Sequence, residues 1–60
     1  MTPQEIADFL RECVRENETD AKKFDPGTWL NGYYTGRASS YSFAIFLIEN
    51  DQLIKKDLKE

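Results

Sequence analysis

Sixty residues with eleven acids, eight bases, one cysteine and no histidine limit what this chain can be. A single domain over residues 1–60 sits near the lower limit of independent folding, where only about 60% of the surface of the unfolded chain is buried. The lone Cys13 excludes an internal disulfide, and without histidine the scattered carboxylates make no structural zinc site. A net charge of −3 with no basic stripe removes the main energetic term for binding nucleic acid.

Met1-Thr-Pro-Gln-Glu5 has no basic segment followed by an apolar one, so no signal peptide is expected. The longest apolar run, Phe43–Ile48, falls far short of the roughly 20 residues that span a bilayer. With a single thiol, these features describe a cytoplasmic chain with no membrane segment. Asn17-Glu-Thr19 matches a glycosylation sequon, which means nothing without export.

The first predicted element is a helix over about 3–16. Thr2 caps it, Pro3 takes the first helical position, and Glu5 completes a capping box. Ile6, Phe9, Leu10, Cys13 and Val14 form an apolar stripe, while Asp8–Arg11 and Glu12–Arg15 pair on the polar side. Cys13 reads as a small buried hydrophobe rather than a reactive thiol. Asn17-Glu-Thr-Asp20 reads as the helix exit, and Asp25-Pro-Gly27 as a turn.

Thr28–Thr35 reads as an aromatic strand broken by Gly32, Gly36–Ser40 as a connection, and about 41–49 as a second strand. The run Phe43–Ile48 is short and rich in aromatic and β-branched residues, which suits a strand buried on both faces. Residues 52–58 fit either a third strand or a short helix, with Ile54 and Leu58 on one face. The expected fold is therefore α+β, with an N-terminal amphipathic helix packed on a two- or three-stranded antiparallel sheet. The alternative is a small all-α three-helix bundle in which 40–58 forms one helix. That helix would be apolar nearly all round its first two turns, more than so short a monomer covers.

The charge pattern points to a surface in need of a partner. Residues 26–48 carry one charge, Arg37, yet residues 24–46 hold seven of the eight aromatics. Tyr, Trp and Arg without acids or lysines is the composition of interface hot spots. Trp29, Tyr33, Tyr34, Arg37, Tyr41 and Phe46 are thus the expected partner-binding residues, set against the plainer reading of a small core. The expected function is a non-catalytic interaction module that binds a larger protein or a second copy of itself. Small size, acidity and lack of motifs resemble, in general character only, the accessory and inhibitor proteins of phages and mobile elements. In a second reading, Trp29, Tyr33, Tyr34, Tyr41 and Arg37 wall a sensor pocket for a flat or anionic small molecule at a homo-oligomer interface.

Catalysis is not expected. There is no histidine base, Ser39, Ser40 and Ser42 lack any nucleophile-elbow pattern, and Gly27, Gly32 and Gly36 are followed by no Gly-Lys-Ser/Thr. Glu18-Thr-Asp20 lacks the glycine and ligand series of a calcium loop, so neither a metal nor a cofactor is expected.

Overall fold

Thr2 and Glu5 start the first helix by capping each other. In a computed structural model that describes residues 1–59, with side chains placed through Asp51, the Glu5 N–H donates to Thr2 Oγ1 at 3.1 Å. The Thr2 N–H donates back to Glu5 Oε1 at 2.9 Å. Two donors that a helix start would leave unpaired are thereby satisfied. The helix, α1, runs Pro3–Ala21.

It ends later than the expected exit near residue 17. Asn17 stays helical because its Nδ2 donates to the Cys13 carbonyl one turn back, at 2.7 Å, and its side chain is buried. The last turn then tightens, with the Lys23 N–H on Asp20 O and the Phe24 N–H on Ala21 O at 3.1 and 3.2 Å. Gly27, at φ +89°, turns the chain in the left-handed region that glycine tolerates, within the turn expected over 25–27.

The second helix, α2, runs Trp29–Lys59. Thr28 caps it, its hydroxyl accepting from the Asn31 N–H at 3.3 Å and donating to Asp25 O at 2.7 Å. Asn31 closes the hairpin. Its Nδ2 donates to the Ala21 carbonyl at 2.9 Å and the Phe24 carbonyl at 3.3 Å, bonding acceptors at the end of α1 and in the bend just beyond it.

The expected helix-on-sheet architecture is therefore overturned. The described residues contain two helices and no strand. The stretches 28–35 and 41–49 and the supposed connection 36–40 belong, apart from the capping Thr28, to a single helix, whose backbone also takes in 52–58. The all-α alternative has the right class, with two helices rather than three. A six-residue apolar run does not by itself separate a strand from a buried helix segment. The longer spacing does. Asn31, Tyr34, Ala38, Tyr41, Ile45 and Ile48 advance by alternating threes and fours along α2. Ala7, Leu10, Val14, Asn17 and Ala21 do the same along α1, reaching Phe24 beyond it, and all of these residues are buried or half-buried.

That register also corrects the apolar stripe of α1. Ala7 is buried, whereas Ile6 and Phe9 lie exposed and Cys13 is half-buried. The seam is built around Ala7, Ala21 and Ala38, with Ile45 the one large apolar side chain in the buried class among the described residues. Small side chains let two helices approach closely, but they remove little apolar area from water. On one side of the seam Arg11 Nη2 reaches Glu49 Oε2 at 2.6 Å, an exposed ion pair joining the helices.

Two predictions follow from these caps. Asn31→Ala should cost about 1–2 kcal/mol in urea denaturation by removing the side-chain donor to the Ala21 and Phe24 carbonyls; an unchanged midpoint would show that the clasp contributes nothing. The Thr2 N–H holds the Glu5 carboxyl below its ordinary pKa. Its contribution is therefore complete above the usual carboxylate range and is lost as pH falls through the lowered value. Circular dichroism should show acid-induced fraying of α1 that Glu5→Gln diminishes.

Candidate interaction surface

The aromatic residues of α2 divide between its two sides. Tyr34 turns toward the hairpin bend and stacks on Phe24, with ring centroids 5.9 Å apart and planes within 8°. It is half-buried, as is Tyr41. Trp29 lies 76% exposed at the start of the helix, stacked on Tyr33 at 5.4 Å, and Tyr33 meets the ring of Tyr34 edge-on at 5.1 Å.

Arg37 links this cluster to the next turn. Its Nη1 donates to the Tyr33 hydroxyl at 2.8 Å and its Nη2 to the Tyr41 hydroxyl at 3.2 Å. The guanidinium carbon lies 5.5 Å from the Tyr33 ring centroid and 5.9 Å from that of Tyr41, so the charge rests against two π-faces. Hydrogen bonds to Tyr41 and Tyr33 raise the Arg37 pKa above its ordinary value, and the cation persists throughout the accessible pH range. These i, i+4 contacts exist because 29–41 is helical; in a strand the same residues would lie too far apart.

Phe46 belongs to a second cluster. It stacks on Phe43 at 6.4 Å, with the rings 59% and 62% exposed, and Leu47 beside them is 51% exposed. Of the residues singled out from sequence, Trp29, Tyr33, Arg37 and Tyr41 come together as one ladder. Phe46 lies further along, and Tyr34 serves the bend. Phe43 and Leu47 were missed as surface residues, because a two-faced strand assigns them to a core. The signal that locates them is again a spacing: Trp29, Tyr33, Gly36, Ser40, Phe43 and Leu47 alternate fours and threes, roughly opposite the stripe that meets α1.

All six residues are exposed, and none carries a charge. A Cβ placed on Gly32 or Gly36 would meet nothing within 4 Å, so this side of α2 is open. The outward side of α1 is its opposite in character, bearing Asp8, Glu12, Arg15 and Glu16, with Asp8–Arg11 and Glu12–Arg15 paired as their spacing predicts. A groove of about 460 Å³ lies elsewhere, lined by Glu18, Thr35, Ala38, Ser39 and Ser42. No aromatic residue of the ladder takes part in it.

Among the described residues no group of His, Cys, Asp or Glu is placed to hold a metal ion, and no helix is long and apolar enough to cross a membrane. Compared with protein-family models, with curated proteins and with solved structures, the chain matches none of them.

The Arg37 ladder generates its own prediction. Arg37→Met keeps an unbranched apolar stem but removes both hydroxyl hydrogen bonds and the cation. Helicity should be retained while the Tyr33 and Tyr41 ring resonances shift toward solvent-averaged positions in NMR spectra; unmoved rings would show that the guanidinium does not order them.

Proposed function

We propose that this chain is a non-catalytic protein–protein interaction module that engages its partner through the outer face of α2. The supporting observation is the uncharged, exposed stripe from Trp29 to Leu47 on a helix whose opposite face is already occupied by α1. In a chain with 32% charged residues, a stripe from Trp29 to Leu47 with no charge except Arg37 at its edge suits contact with protein. Trp29, Tyr33, Phe43 and Phe46 supply rigid aromatic area, and Arg37, braced by two tyrosines, supplies an ordered cation at the edge. Binding by such a module occludes or bridges a surface, as an inhibitor or adaptor does, and requires no chemistry of its own.

A tagged copy of the chain should retain a polypeptide in stoichiometric amount, either a larger protein or an untagged copy of the chain. Phe46→Ala should release it, and Arg37→Glu should weaken retention while helicity is preserved. Retention insensitive to both substitutions, or none at all, would refute the reading.

A further inference from the structure

We infer that the occupant of the outer α2 face is a second copy of this chain, the two α2 helices lying antiparallel across a two-fold axis near Gly36 and Ser40. This rests on the interaction-module reading and names its partner. The first argument is the stripe itself. Its steps of four, three, four, three and four residues read the same in both directions. In an antiparallel pairing Trp29 therefore meets Leu47 of the other copy, Tyr33 meets Phe43, and Gly36 meets Ser40. Every large residue faces a large one, and the small residues face each other at the centre, where the helices cross most closely. No layer of that stack holds a charge, since Arg37 lies at its edge and is held on the Tyr33 and Tyr41 hydroxyls, and the helix dipoles are opposed.

The second argument is area. From the exposures of Trp29, Tyr33, Phe43, Phe46 and Leu47, with 150–250 Å² for a buried aromatic side chain, the face offers about 600 Å² per chain. A symmetric pair then buries about 1,200 Å², the lower end of what stable specific interfaces need, before any contribution from flanking backbone or Leu30. The hairpin has reason to use it, because none of its described large side chains is completely buried within one chain. Pairing two hairpins encloses the outer aromatic stripe in a four-helix assembly that neither copy makes alone.

Sedimentation equilibrium from about 10 μM to 1 mM should give twice the 7.0 kDa chain mass at the upper end, with a melting temperature that rises with concentration. Gly36→Glu is the decisive variant. A side chain there meets no neighbour within the chain, and glutamate is the better helix former, so a hairpin that folds alone keeps its helicity. Across the axis it buries two like charges, and dimerisation should weaken more than about 100-fold. Wild type that stays at the single-chain mass with a concentration-independent melting temperature overturns the proposal, as does a Gly36→Glu chain that still pairs. A monomer that instead captures another polypeptide in a Phe46-dependent way overturns the second copy and leaves the interaction module standing. A monomer that binds neutral phosphatidylcholine vesicles through Trp29, seen as a blue shift of its emission, overturns both.

Discussion

The constraint on which this structure depends is that α2 is apolar on two sides and has one helix to lie against. Asn31, Tyr34, Ala38, Tyr41, Ile45 and Ile48 meet α1, while Trp29, Tyr33, Phe43 and Leu47 face away from it. α1 is narrower in character, with one packed stripe and a charged outer side, and it behaves as an ordinary surface helix. The asymmetry between the helices places most of the unmet demand for burial on the second, with Ile6 and Phe9 the exposed apolar residues of the first.

The seam between them explains why the demand is not met internally. Alanines at 7, 21 and 38 bring the helices close but contribute little area each, and two asparagines occupy seam positions where a larger domain would place leucine. Both asparagines bond to backbone carbonyls of α1 or of the bend just beyond it, so the seam gains polar specificity instead of hydrophobic mass. Asn31 in particular ties the first turn of α2 to the last turn of α1, which sets the hairpin's register at its closed end. Arg11–Glu49 joins the helices again at the far end, in water, where salt weakens it.

Arg37 shows how the one cation in a long uncharged stretch is kept in place. Two tyrosine hydroxyls accept from it and two rings lie beneath it, so it is ordered without an acidic partner. An ordered guanidinium at the edge of an aromatic face loses less entropy on contact than a free one. The geometry of the ladder thereby links the i, i+4 pattern of the sequence to the recognition proposed for it.

Much of this was legible in the residues alone. Thr2, Pro3 and Glu5 determine where α1 begins, and Asp25-Pro-Gly27 where the chain turns, because capping and turn geometry act over three or four residues. The uncharged aromatic stretch between 26 and 48, and the need to cover both its faces, were also plain from composition. What the sequence did not decide is the state of that stretch, since a short apolar run satisfies a strand and a buried helix equally well. Only the tertiary structure selects the Ala7 stripe over the Ile6–Phe9 stripe of α1, keeps Asn17 inside the helix, and turns Tyr34 inward while Phe43 faces out. Those choices depend on how closely two helices can approach, a property of the pair that neither segment carries by itself.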